Sequence, residues 1–123
     1  VRTAYQEEDL NSYNVLAEIP GEDPALQDQV VLVGAHLDSL PAATGATDNA
    51  DGVVAALEAM RILKAIGVHP RRTIRVAIWS GEEVGFVGGK AYVDQHLGDQ
   101  ASRDKIAVYL NNDPGAGATY GWY

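Results

Sequence analysis

Six side chains that can bind metal ions or transfer protons stand out in this 123-residue chain. They lie in short polar clusters after apolar runs, or at the predicted start of a helix: His36, Asp38, Asp48, Glu82, Glu83 and Asp113. The chain has no cysteine, so any metal must be held by imidazole nitrogen and carboxylate oxygen. That donor set suits a catalytic Zn²⁺ site, with Mn²⁺ or Co²⁺ as alternatives.

The pattern of apolar residues predicts the elements that position these side chains. The predicted strands are Tyr13–Ile19, Val30–Ala35, Thr73–Trp79 and Lys105–Leu110, and the predicted helices are Asp51–Ile66 and Val84–Leu97. Strands that alternate with helices form βαβ units, so we predict an α/β fold, a three-layer αβα domain with a mostly parallel sheet. The Pro- and Gly-containing loop between the first two strands predicts that they form an antiparallel pair at a sheet edge. The tail, Pro114–Tyr123, could begin a further strand.

The helix predicted over Asp51–Ile66 is the clearest element of the chain. Its apolar residues recur every three or four positions and so form one apolar face. Asp48 or Asp51 is expected to cap its first turn. Gly67 is expected to end it, because glycine readily adopts the left-handed conformation that closes many helices.

The polar clusters are predicted to meet, because parallel strands present their carboxyl ends at one edge of a sheet. Carboxylates crowded together raise one another's pKa unless a cation lies between them. We therefore predict one divalent metal ion or two, the second case with ~3.5–4 Å between the ions and a bridging Asp. Of Glu82 and Glu83, one can bind metal while the other accepts a proton. Asp38 shares a side of its strand with His36 and can orient the imidazole.

Three segments carry a resemblance to a known family: GAHLDS at Gly34–Ser39, GATDNADGV at Gly45–Val53, and WSGEEVGFVGGKAYV at Trp79–Val93. The longer segment ALEAMRILKAIGVHPRRTIRVAIWSGEE at Ala56–Glu83 adds a likeness to one group of its members. The segments resemble the MH-clan zinc aminopeptidase and glutamate carboxypeptidase family, and among its members those similar to plasma glutamate carboxypeptidase (carboxypeptidase Q). The resemblance covers nearly the whole chain. It implies the zinc-exopeptidase (phosphorylase/hydrolase-like) fold and an enzyme that hydrolyses terminal peptide bonds with metal-activated water.

The resemblance also implies a role for each of the six side chains. His36 and Asp113 would be ligands of one zinc ion, Asp48 would bridge two, and Glu83 would bind the second. Glu82 would be the general base, which takes a proton from water and passes it to the leaving amine. Asp38 would orient His36.

One ligand of the family pattern has no counterpart among residues 1–123. Family members carry a further histidine on the second zinc, far downstream of the position of Asp113, whereas this chain ends at Tyr123. His69 and His96 do not stand in a matching context and are expected at the surface. We therefore expect residues 1–123 to form a single, partial metallopeptidase domain, incomplete at its C-terminus, with at least one weakened zinc site. The alternative is a catalytically weak or inactive domain that still binds metal or a partner.

Composition and the resemblance together bound the partners. A net charge of −8 argues against nucleic acid and anionic membrane, since both bind a basic surface. No apolar run approaches the ~20 residues of a membrane span. The resemblance implies a peptide substrate and a secreted or periplasmic parent protein. The oligomeric state, and which end of a peptide is trimmed, stay open.

A calcium site is the competing interpretation of the segment around Asp48. Five of its side chains fit the spacing of an EF-hand loop: Thr47, Asn49, Asp51, Gly52 and Glu58. The first position is Thr rather than Asp, and Pro41 and Gly45 preclude the helix that precedes such a loop. We therefore do not expect an EF-hand.

Overall fold

The computed structural model describes residues 2, 4, 7–113, 115 and 121. Within them the strands are β1 (Val15–Ile19), β2 (Val30–His36), β3 (Thr73–Trp79) and β4 (Ile106–Asn111), and the helices are α1 (Asp51–Ala65), α2 (Val87–His96) and α3 (Gln100–Arg103). A short irregular helical turn, Ala46–Ala50, directly precedes α1. Apart from residues 115 and 121, the strand predicted for the tail lies outside the described residues. None of the helices in the described ranges is both long and apolar enough to cross a membrane.

The four strands form one mixed sheet in the order β1-β3-β2-β4. Strands β2, β3 and β4 are parallel, and β1 is antiparallel to β3. The predicted pairing of the first two strands is therefore wrong, because β3 lies between them. Glu18 stands opposite Arg75 in the β1–β3 register and forms an ion pair with it. The loop after β1 is fastened to the start of β3, where the Thr73 hydroxyl donates to the carbonyl of Gln27 at 2.8 Å.

Helices cover both faces of the sheet. On one face Val53 and Ala56 of α1 pack with Ala35, Val76 and Ile78 of the two central strands. On the other face lies a second cluster of Val30, Leu32 and Ala77, flanked by Trp79 and Ile106. Helix α2 crosses this second face, with its buried Tyr92 edge-on to Trp79 at 5.1 Å between ring centroids. The predicted three-layer α/β fold is confirmed.

Helix α1 ends as predicted but begins differently. Gly67 has φ +66°, its N–H donates to Lys64, and the N–H of Val68 donates to Leu63, which is the Schellman pattern of helix closure. Of the two residues predicted to cap its first turn, Asp51 accepts a hydrogen bond from the N–H of Gly52 at 2.7 Å with its carboxylate, whereas Asp48 does not serve as the cap. The helix begins after Ala50, and the first-turn N–H of Gly52 is bonded by the side chains of Asn49 and Asp51 instead. The carboxylate of Asp48 is thereby left for another contact.

Helix α2 begins three residues later than predicted. Gly85 and Phe86 have φ values of +106° and +61°, so the chain makes a turn there before the helix starts at Val87. Helix α3 was not predicted. It is a single turn capped by Asp99, whose carboxylate accepts a hydrogen bond from the N–H of Ser102 at 2.9 Å.

Candidate metal centre

The parallel strands bring their polar ends to one edge of the sheet. His36 is the last residue of β2 and pairs in register with Trp79, the last residue of β3. Gly34, two residues earlier on β2, pairs with Asn111 at the end of β4. Because the three strands end within two residues of one another at this edge, the segments that follow them surround the imidazole of His36.

Two carboxylates face the same nitrogen of His36. Its Nε2 lies 3.1 Å from Oδ1 of Asp48 and 3.2 Å from Oδ1 of Asp113. The three atoms that these residues offer lie within 4.8 Å of one another. Ligand atoms around a tetrahedral zinc with bonds near 2.05 Å are about 3.3 Å apart. The donor types and their spacing therefore fit a divalent cation.

The other ring nitrogen of His36 is held by Asp38. Nδ1 lies 3.0 Å from the backbone carbonyl oxygen of Asp38 and 3.6 Å from its carboxylate. A carbonyl oxygen only accepts hydrogen bonds, so Nδ1 carries the proton and the lone pair of neutral His36 is on Nε2. The orienting contact thus comes from the backbone of Asp38 rather than from the predicted carboxylate.

The carboxylate of Asp38 has a different task. It accepts hydrogen bonds from the backbone N–H groups of Glu82, at 2.9 Å, and Glu83, at 3.1 Å. Burial acts to raise the pKa of Asp38, but these two hydrogen bonds, together with the backbone N–H of Asp38 and the charge of His36, outweigh it and hold the pKa below its ordinary value. Asp38 therefore ties the loop after β3 to the loop after β2.

Glu82 stands in a negative environment beside His36. Burial raises the pKa of its carboxyl above the ordinary value; the charge of His36 opposes this, and the charges of Asp113, Glu83 and Asp38 add to it. A carboxylate with a raised pKa is a better proton acceptor at neutral pH.

The carboxylate of Glu83 is outside the group that surrounds His36. Among the described residues, the converging set consists of His36, Asp48 and Asp113 only. The structure shows a role for the backbone of Glu83, through the hydrogen bond to Asp38. Of the four predicted metal ligands, three are brought together and one is not.

The imidazole of His36 is almost fully enclosed, with 3% of its side chain exposed. Burial acts to lower the pKa of His36, but the Asp113 carboxylate, the Asp38 carbonyl and Glu82 outweigh it, so the pKa is raised. The same negative field that favours a proton on Nε2 favours a cation in that position.

An apolar cavity of about 380 Å³ opens beside this cluster, between the sheet and α2. Leu32, Trp79 and Tyr109 line its sheet side, and His36 and Asp113 also line it. The indole N–H of Trp79 donates to the hydroxyl of Tyr109 at 2.8 Å. Our reading of the sequence missed this pair, although the two aromatic residues lie near the ends of neighbouring apolar strands.

Asn49 is a second feature that sequence reasoning missed. Its side chain is fully buried, and its amide N–H donates to the backbone carbonyl of Asn112 at 2.8 Å. The only available signal was a carboxamide beside Asp48, which does not distinguish a buried bridge from a surface turn. His69 and His96 are exposed, as expected.

The sheet, its two helical layers and the His–carboxylate cluster at the strand ends define an α/β domain with a metal-binding type of site. Residues 14–119 match the profile of peptidase family M28, and the chain belongs to that family. This membership confirms the resemblance carried by the three sequence motifs.

Similar proteins include a carboxypeptidase and a leupeptin-inactivating enzyme. Carboxypeptidase Q of Xenopus laevis is 41% identical over 98 residues, which are 80% of this chain and 20% of that protein. Leupeptin-inactivating enzyme 1 of Streptomyces exfoliatus is 38% identical over 101 residues, or 82% of this chain and 22% of that protein. The chain thus spans about a fifth of the length of these relatives.

Two solved structures share the fold. A peptidase M28 precursor from Shewanella amazonensis SB2B superposes with a TM-score of 0.80 at 40% identity, covering 89% of this chain and 24% of that one. An aminopeptidase from Aneurinibacillus sp. strain AM-1 gives a TM-score of 0.72 at 25% identity, covering 81% and 24%.

Proposed function

We propose that this protein carries the core of a zinc-dependent exopeptidase site, which hydrolyses terminal bonds of peptide substrates. The observation that supports the proposal most directly is the position of His36 Nε2, 3.1 and 3.2 Å from the oxygens of Asp48 and Asp113. Membership of peptidase family M28 and the names of the relatives point to the same chemistry. In this proposal residues 1–123 are one part of a larger catalytic domain.

The residues have separate tasks in the proposed reaction. His36, Asp48 and Asp113 would hold one zinc ion, and Asp48 and Glu83 would contribute to a second. Bound zinc supplies Lewis acidity for the scissile carbonyl and a nucleophile at neutral pH. Glu82 takes the proton of the attacking water and delivers it to the leaving amine, so that one water is consumed and a carboxylate and an amine are released.

Asp38 would hold the groups that take part in this proton transfer in fixed positions. Its carboxylate holds two consecutive backbone N–H groups of the loop that carries Glu82. Its carbonyl fixes the ring of His36. Asp38 thereby fixes the position of the proton acceptor, Glu82, relative to the buried imidazole of His36. A pre-organised catalytic site requires such fixed positions.

Replacing Glu82 with glutamine separates proton transfer from metal binding. In the complete enzyme, we expect Glu82→Gln to lower kcat by about 10²–10⁴, as loss of a general base does, while the zinc content stays unchanged. His36→Ala should release zinc. Glu8→Gln, at an exposed acidic residue before β1, is the matched control. Full activity of Glu82→Gln, or full zinc content of His36→Ala, would refute the assignment.

A catalytically weak metal-binding domain is the second candidate. The observation that favours it is that the carboxylate of Glu83 does not join the cluster around His36. Elemental analysis of the complete parent protein distinguishes the two candidates, since the exopeptidase proposal requires two zinc ions per complete site and the alternative requires one or none. We further propose a secreted or periplasmic parent protein, since one structural relative is described as a precursor.

A further inference from the structure

The two carboxylates beside His36 are not held by the packing of their own side chains. The Asp48 side chain is 64% exposed and that of Asp113 is 36% exposed, whereas His36 is buried. Both carboxylates lie on segments outside the strands. A metal site with high affinity needs ligands that are already in position, so neighbouring residues must fix these two segments.

The buried side chain of Asn49 lies where it can do this. Asn49 directly follows Asp48, and Asn112 directly precedes Asp113. The amide N–H of Asn49 donates to the carbonyl of Asn112 at 2.8 Å, while its amide oxygen accepts from the N–H of Gly52 at 3.2 Å. The carboxamide of Asn49, the residue after Asp48, therefore bonds both to Asn112, the residue before Asp113, and to the first turn of α1.

The connection continues to the strand that carries His36. The backbone N–H of Asn112 donates to the carbonyl of Gly34 at 2.9 Å, two residues before His36 on β2. The three candidate ligands are thus joined through residues one or two positions away from them, and Asn49 supplies the only side chain in that path.

The first turn of α1 leaves space for this amide. A Cβ atom at Gly52 would lie 2.5 Å from the carbonyl oxygen of Asn112 and in contact with the amide oxygen of Asn49. A contact of that length requires the neighbouring atoms to move. Glycine at position 52 therefore permits the close approach of Asn49 to Asn112.

We infer that Asn49 is a positioning residue for the metal centre: its buried carboxamide sets the separation of Asp48 and Asp113 around His36. The inference rests on the proposed metal site and adds to it a residue that binds no metal. The side chain must donate on one side and accept on the other. Aspartate has similar volume but cannot donate to the Asn112 carbonyl, and alanine can do neither.

Zinc titration of the purified protein tests the inference. Asn49→Asp and Asn49→Ala should raise the zinc Kd by about 10- to 100-fold, the range found for residues that support metal ligands. The absorption spectrum of the Co²⁺-substituted protein should also change, because it reports ligand geometry. Gly52→Ala places a methyl group against the hydrogen bond between Asn49 and Asn112 without changing either residue. It should therefore also raise the zinc Kd.

Asp99→Ala is the control for general loss of stability. It removes the cap of α3, which lies outside the metal centre, and should lower the unfolding midpoint while the zinc Kd stays within twofold. If folded Asn49→Ala kept the zinc Kd and the Co²⁺ spectrum of the wild-type protein, the inference about Asn49 would be overturned, and the proposed function would still stand. Absence of zinc binding by the wild-type protein would overturn it together with the proposed function.

Discussion

Replacing Asp38 with asparagine tests how strongly the loop of Glu82 is fastened to the rest of the site. The carboxylate of Asp38 is 26% exposed and accepts two backbone hydrogen bonds, from Glu82 and Glu83. Asparagine keeps one oxygen acceptor but turns an NH₂ group toward the second N–H. One charge-assisted bond is lost and the other becomes neutral, so we expect a loss of about 3 kcal/mol in unfolding free energy.

This loss should depend on pH in a defined direction. The pKa of Asp38 is lowered in the folded protein, so its stabilising contribution is fully present above the unfolded pKa, near 3.9. It disappears as the pH falls through the folded pKa. The difference between wild type and Asp38→Asn should therefore be constant from pH 7 to about pH 5 and shrink below pH 4.

Urea unfolding of the metal-free protein measures both effects. With a slope of about 1.5 kcal/mol/M, a loss of 3 kcal/mol moves the midpoint by about 2 M at pH 7. Asp94→Asn, at an exposed carboxylate on α2, is the matched control and should leave the midpoint unchanged. Equal midpoints for wild type and Asp38→Asn at pH 7, or a difference that persists undiminished at pH 3, would refute the reasoning.

Three glycines and the metal itself give further tests by thermal unfolding. Gly34→Ala should cost about 1–3 kcal/mol, because its Cβ would lie 2.5 Å from the hydroxyl of Tyr109; wild-type stability would contradict this. Gly67→Ala meets no atom within 4 Å and should cost about 1 kcal/mol through backbone strain at φ +66° alone. Gly89→Ala, also unobstructed but inside α2, should stabilise by up to about 1 kcal/mol, and a loss would be inconsistent with helix propensity. Zinc at 100 times its Kd should add about 2.7 kcal/mol, reversed by a chelator, and no shift would argue against a metal site.

Local patterns predicted the elements well and their arrangement less well. Strand β3 has the predicted bounds, and α1 ends one residue before the predicted end, because the apolar periodicity and Gly67 are strong local signals. The neighbour of β1 was not predictable in this way. Its pairing with β3 depends on contacts distant in sequence, such as that between Glu18 and Arg75.

The site, too, was predictable where local sequence signals define it and not where contacts distant in sequence do. The side-chain types at the strand ends predicted a cluster of nitrogen and carboxylate donors, and the structure brings His36, Asp48 and Asp113 together. The part played by the Asp38 carbonyl and the burial of Asn49 depend on atomic positions that spacing does not encode. The start of α2 was predicted too early because the sequence does not show that Phe86 has a positive φ. An apolar side chain gives no sign of that backbone conformation.

The central place of β2 in the sheet has a kinetic consequence. Strands hydrogen-bonded on both sides open only in larger unfolding events, whereas segments outside the sheet open locally. His36 is the last residue of β2, which lies between β3 and β4 in the sheet. Asp48 and Asp113, which face His36, lie outside the strands. An ion held there would depart when the carboxylate segments swing away, long before the imidazole moves. Its dissociation rate would then follow the exchange of amide hydrogens in those segments and be insensitive to global unfolding.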